Sequence, residues 1–176
     1  RAEADLLGDL VRPADDEPIH VREPLGRGKG RSSVHDHGLE PEFARLRPQD
    51  LRRVRVYSAG GALRVEVELA ALSQHWHPAN GFDHVAFTLF IALPGRDGGV
   101  RVMPQQYANL PAELRWHYRL RAHGWSNAWF RAEGADAQHE GTLTTPAATI
   151  TALPAINTVR FEWPAAAFDR MIDWTG

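Results

Sequence analysis

Two His-x-His pairs, His35-Asp36-His37 and His75-Trp76-His77, and three tryptophans set among polar residues are the groups of this chain that could do chemistry. On a strand, residues two apart share a face, so either pair could grip one transition metal between two imidazoles. A closed site needs more ligands than two, and His84, His117 and His123 would serve only where the fold brought them close. The other reading of both pairs is polar loop histidines without a metal. The tryptophans are Trp76, in the loop WHPANGFD, and Trp125 and Trp129, in HGWSNAWF. A sugar ring packs its C–H face on an aromatic plane, while its hydroxyls are met by Asn, Gln, Arg, Glu and His side chains. Trp76, His77 and Asn80 on one segment, and Trp125, Asn127 and Trp129 on the other, are therefore the candidate carbohydrate contacts. Tryptophan is highly buried on average, so the competing assignment for each is the core, where Trp116, Trp163 and Trp174 are placed outright.

No catalytic motif accompanies them. The chain has no GxSxG, no HExxH, no phosphate loop and no dinucleotide fingerprint. The run GRGKG at residues 26–30 follows no apolar strand and opens no helix, so it reads as a flexible turn. With no cysteine, disulfides, thiol catalysis and Cys-type zinc sites are all excluded. A stripe of Arg115, His117, Arg119 and Arg121 alternates with apolar residues. It could bind an anion or an acidic glycan, or be a solvated strand face or a charge-protected edge.

The elements that must position these residues are strands. Val54 and Val56 alternate with Arg53 and Arg55; after Gly60-Gly61, Leu63, Val65, Val67 and Leu69 alternate with Arg64, Glu66 and Glu68, which predicts a hairpin with one wet face. From Asp83 to Leu93 both faces are apolar, with Val85, Phe87, Leu89, Ile91 and Leu93 on one and Ala86, Phe90 and Ala92 on the other. That pattern predicts a long strand in the middle of a well-covered sheet, with the WHPANGFD loop on a rigid base. Further strands are expected over 114–121, with Trp116, Tyr118 and Leu120 pointing inward, and over 128–132, 141–145, 148–153 and 158–163, closed by a helical turn in PAAAFDRMIDW. Eight to ten short strands with regular turns, no βα alternation and no repeat predict an all-β, antiparallel, immunoglobulin-like β-sandwich.

The N-terminal part differs. Residues 1–18 read as a short acidic amphipathic helix and linker, of a kind that could end a preceding domain, and 19–176 as the sandwich, opening with a strand over 19–23. A chain that begins at Arg1 is expected to have been cut or processed from a longer one. At 176 residues, with 43% hydrophobic and 24% charged residues and a net charge of −2, the rest suits one domain with a real core. The balanced charge offers no field to attract nucleic acid, and no apolar run approaches the roughly 20 residues that span a membrane.

The stretch WHPANGFDHVAFTLFIALPG, the hairpin LRRVRVYSAGGALRVEVEL before it, HGWSNAWF, and TVRFEWPAAAFDRM together resemble the DOMON-like C-terminal domain of glucodextranase and related bacterial α-glucan-active enzymes, akin to family-9 carbohydrate-binding modules. The resemblance spans roughly residues 19–176. It implies an immunoglobulin-like sandwich that is itself no enzyme, a periplasmic or extracellular accessory module beside a glycoside hydrolase, with a polysaccharide or oligosaccharide as partner. The family opens with an acidic turn suited to calcium; here Glu23-Pro24-Leu25-Gly26-Arg27-Gly28 stands in its place. Arg27 opposes a cation that needs several oxygen ligands, so calcium at Glu23 is expected to be lost or weakened. Two alternatives remain beside the carbohydrate reading. One is a purely structural domain packed on a catalytic domain or partner subunit; the other is a haem- or metal-binding redox domain, with Met103 and a histidine as axial ligands.

Overall fold

The computed structural model describes residues 50–169 and 172–174. The expected N-terminal helix and first strand, the GRGKG run, the His35/His37 pair and the calcium candidate Glu23 lie outside the described residues. Within them the chain is all-β. Strands β1 (Leu51–Ala59), β2 (Ala62–Leu69), β3 (Ala86–Ile91), β4 (Val102–Met103), β5 (Ala108–Asn109), β6 (Tyr118–His123), β7 (Ser126–Arg131), β8 (Thr142–Thr144), β9 (Thr149–Leu153) and β10 (Thr158–Trp163) follow in order. Two four-stranded antiparallel sheets, β1-β2-β10-β9 and β3-β6-β7-β8, make the sandwich, and β4-β5 is a short separate ribbon. The sheets meet through aromatic rings: Phe87 lies 5.2 Å from Phe161, and Trp129 lies 5.2 Å from Trp163. No helix among the described residues is long and apolar enough to cross a membrane.

The first sheet follows its sequence pattern closely. Gly60 and Gly61 both take positive φ, +54° and +84°, as a two-residue hairpin turn requires. Leu63, Val65, Val67 and Leu69 go into the core with Val159, Phe161 and Trp163. The wet face carries a ladder of ion pairs. Glu66 lies directly across from Arg55 on one neighbour and Arg160 on the other, with Arg160 Nε donating to it at 2.9 Å, and Arg64 donates to Glu162 at 2.9 Å. Cross-strand pairs of this kind contribute roughly 0.2–1 kcal/mol each.

The second sheet departs from the expectation. β3 is shorter than predicted and lies at the sheet edge, not in its middle. Its inward face, Phe87 and Ile91 with Val85, Leu89 and Leu93, does enter the core. On its outer face Ala86 is exposed and Phe90 is covered locally, by the ring of Trp116 at 5.6 Å. The doubly covered strand is β6, whose Tyr118, Arg119 and Leu120 are all buried. His117 and Arg119, expected on an outward stripe, are thus inside the fold: His117 Nδ1 accepts the Leu93 backbone N–H at 2.9 Å, and Arg119 is paired with Glu140, since charge tolerates burial when an opposite charge is at hand. Trp116 precedes β6 in an isolated bridge to Val100 and donates its indole N–H to Val102 O at 2.8 Å. It packs beneath the β4-β5 excursion, apart from the main core.

The C-terminal turn is tied down by Asp169, which accepts two bonds from Arg96 Nη1 (2.8 and 2.9 Å) and donates its backbone N–H to Tyr118 Oη at 3.0 Å. Partial burial alone would raise the Asp169 pKa, but the bonds and charge of Arg96 outweigh it and hold the carboxyl below its usual 3.8. A depressed folded-state pKa contributes stability that is complete at neutral pH and is lost as pH falls through that value. Asp169→Asn is therefore expected to unfold at lower urea than wild type at pH 7. The two midpoints should converge as the pH is taken well below 3.8. A constant difference across that range would exclude the linkage.

Candidate functional site

The WHPANGFD loop is built from two consecutive turns closed on one buried carboxylate. His77 N–H donates to Gln74 O at 3.0 Å and Gly81 N–H to Pro78 O at 2.9 Å, while Asp83 N–H donates to Ser73 O at 2.8 Å across the loop base. Gly81 has φ +75°, and a Cβ there would stand 2.9 Å from that of Ala152, so glycine suits the position twice over. Asp83 is buried, and its Oδ2 accepts the Trp76 backbone N–H at 2.8 Å. Its Oδ1 lies 3.4 Å from His84 Nε2, and the His84 ring lies under Trp76 at 4.3 Å. Trp76 is thereby held from its backbone and from one ring face, and is still 57% exposed.

The other half of the site is the turn between β6 and β7. The Trp125 backbone N–H donates to His123 Nδ1 at 3.2 Å, so in the neutral imidazole Nε2 carries the proton and donates to Ser126 Oγ at 2.6 Å. The Ser126 hydroxyl is left with its own proton to offer. Trp125 is 54% exposed, with its ring 6.4 Å from that of Trp76 and tilted by 32°. Asn80 joins the two segments. Its backbone N–H donates to Gly124 O at 2.8 Å, and its side-chain amide donates to His123 O at 2.7 Å and Ser126 O at 3.2 Å.

The outcome is a surface of two neighbouring indole rings, edged by His75, His123 and Ser126. Exposed aromatic faces bordered by hydroxyl and imidazole groups can stack on the C–H face of a sugar and hydrogen-bond its hydroxyls. Of the six residues singled out as sugar contacts, the fold brings Trp76 and Trp125 to this surface, and His77 is exposed next to Trp76 on the same loop. Asn80 is spent on holding the loops together. Asn127 is half-buried and donates its amide to Ala148 O. Trp129 requires correction: it is 0% exposed, is stacked on Tyr118 at 5.0 Å, and donates its indole N–H to Ala167 O. No ligand can reach it.

The metal reading of His75 and His77 assumed a strand. His75 and Trp76 lie in a turn and His77 has φ +48°, so the two-residue alternation that would aim both imidazoles one way does not apply. Among the described residues no three of His, Asp or Glu are grouped to hold a metal ion. Met103 lies in β4, on the excursion between β3 and β6 at the far end of the sandwich from the two tryptophans. The sequence reading passed over Asp83 and Ser126 as parts of the site. A lone acidic residue at the mouth of an apolar strand is the available signal for the first. The second has none without the His123 contact.

The model of a family described as the C-terminal, SLH-like binding module of glucodextranase matches residues 39–174. No curated protein matches the chain.

Proposed function

Because the chain belongs to the family of C-terminal, SLH-like binding modules of glucodextranase, we propose that it is a non-catalytic carbohydrate-binding module whose sugar rests on Trp76 and Trp125. The observation that carries this is the juxtaposition of two indoles from distant segments, each more than half exposed and 6.4 Å apart. Adjacent exposed aromatic rings rimmed by polar groups are the kind of patch that marks a binding site. The support is consistent with an α-glucan or a related cell-surface polysaccharide as ligand, and with a catalytic glycoside hydrolase domain or subunit as the companion. Such a module would work outside the cytoplasm, in the periplasm, in the envelope or secreted.

Affinity electrophoresis in gels containing starch, dextran or pullulan tests the α-glucan form. Retardation by at least one polymer is expected for the wild type. It should be lost in Trp76→Ala and Trp125→Ala, because removing one stacked ring costs ~1–2 kcal/mol, about ten-fold in affinity. Both side chains are exposed, so the far-UV circular dichroism of the variants should match the wild type. Unchanged mobility in all three gels, with the variants equal to wild type, would remove α-glucan as the ligand.

A further inference from the structure

The outer face of the second sheet continues directly from the tryptophan pair. Cross-strand register puts Ala86, His123 and Ser126 in the row nearest the rings, Thr88, Arg121 and Ala128 in the next, and Phe90, Arg119, Phe130 and Leu143 in the third. Successive rows on one face are about 7 Å apart. The polar positions of the first two rows, with alanines beside them, form a lane leading off the platform.

Charge in that lane is unbalanced. Glu140 Oε1 lies 3.0 Å from Arg119 Nη2 and 2.8 Å from Arg121 Nη1, so two guanidinium groups share a single carboxylate oxygen. Arg119 is 2% exposed; its Nη2 is held by Glu140, and its Nε has no hydrogen-bond partner despite that burial. Both guanidinium carbons sit over the Phe130 ring, at 5.0 and 5.9 Å, within cation–π range. The Arg121 side chain is 46% exposed and presents its outer edge to solvent. Neither ordinary explanation of such a stripe applies. β6 is an interior strand and needs no charge to protect an edge, and Arg119 is not solvated. One surplus positive charge, oriented and partly out of water, is the chemistry that receives an anion.

We propose that Arg121, backed by Arg119, is an anion subsite next to the tryptophan platform, and that the glycan taken by this module bears a carboxylate or phosphate group about one sugar unit from the ring stacked on Trp125. The proposal rests on the carbohydrate reading of the platform. The shared chemistry is a planar or tetrahedral oxyanion on a sugar polymer, supplied by a uronic acid or by a phosphodiester.

Binding of the intact chain to alginate or polygalacturonate (carboxylate), to a polyglycerol-phosphate teichoic acid (phosphodiester) and to dextran (neutral) tests it, each at low and high salt. The wild type should bind one of the charged polymers roughly ten-fold more tightly than dextran at low salt, with the advantage shrinking as salt rises. Which charged polymer is preferred identifies the source of the anion. Arg121→Gln should abolish the advantage and leave any dextran binding intact. Glu140→Gln, which removes the competing carboxylate, should strengthen binding of the charged polymer several-fold, a gain that a merely structural pairing would not produce. Binding of charged polymers that is indifferent to Arg121→Gln overturns the anion subsite alone. No binding of any polymer, charged or neutral, overturns the carbohydrate reading beneath it.

Discussion

Trp129→Ala is expected to destabilise the fold by about 3–5 kcal/mol, the usual range for deleting a large buried aromatic. The ring is 0% exposed and central to an aromatic stack, with Tyr118 at 5.0 Å, Trp163 at 5.2 Å and Phe168 edge-on at 6.0 Å. Its indole N–H also holds Ala167 O, so truncation loses an anchor of the C-terminal 3-10 turn as well as the packed volume. For a domain of this size, each kcal/mol corresponds to roughly 2–4 °C in Tm, so a fall on the order of 10 °C is expected. Trp129→Phe, which keeps most of the volume and loses the N–H, should fall between. Urea unfolding followed by circular dichroism reads both. A Trp129→Ala midpoint close to wild type would mean that the ring is not part of the core. The contrast with Trp125→Ala is the sharper result: the residue four places earlier should leave the unfolding midpoint unchanged and reduce glycan retention.

Gly124→Ala is expected to break the binding surface from behind. A Cβ on residue 124 would stand 2.3 Å from the backbone oxygen of Phe82 and 2.8 Å from Pro78 Cβ, where ordinary contacts begin near 3.4 Å. Its φ is not in the left-handed region, so the cost of alanine is steric, and backbone rather than a flexible side chain must give way. The strand turn and the WHPANGFD loop would move apart by about an ångström, stretching the Asn80 bonds to Gly124 O and His123 O. Trp125 would then leave its place beside Trp76. A stability loss of about 1–3 kcal/mol is expected from overpacking, with at least a ten-fold loss of glycan retention. The same electrophoresis and urea titration check it. A variant that is retained like wild type and as stable would show that the two segments do not need their close approach.

Both predictions turn on how far the pattern of residues reveals their surroundings. The hairpin and the final strand were legible because their alternation is simple: Leu63, Val65, Val67 and Leu69 face one side, and Thr158–Trp163 is bounded as the pattern indicates. β3 was misplaced because apolar residues on both faces say only that both are covered, and Phe90 is covered by Trp116 from a short excursion rather than by a second layer. β6 was misjudged for the converse reason. Its Arg119 looked like a solvated position, yet Phe130, directly across on β7, and Glu140, in the segment after β7, close over it. Trp125 and Trp129 share one polar-looking segment, and no period separates them, because one lies in a two-residue turn and the other is the fourth residue of the strand that follows.

Short-range alternation and turn chemistry were enough to reveal the all-β class, the inward faces of most strands and the loops that bear the exposed tryptophans, while the family was carried by the resemblance of whole segments. Tertiary structure decided which tryptophans meet at the surface, which asparagines are consumed as struts, and that two arginines share one carboxylate. Those outcomes depend on strand order and register between segments distant in the chain, and local spacing carries no information about either.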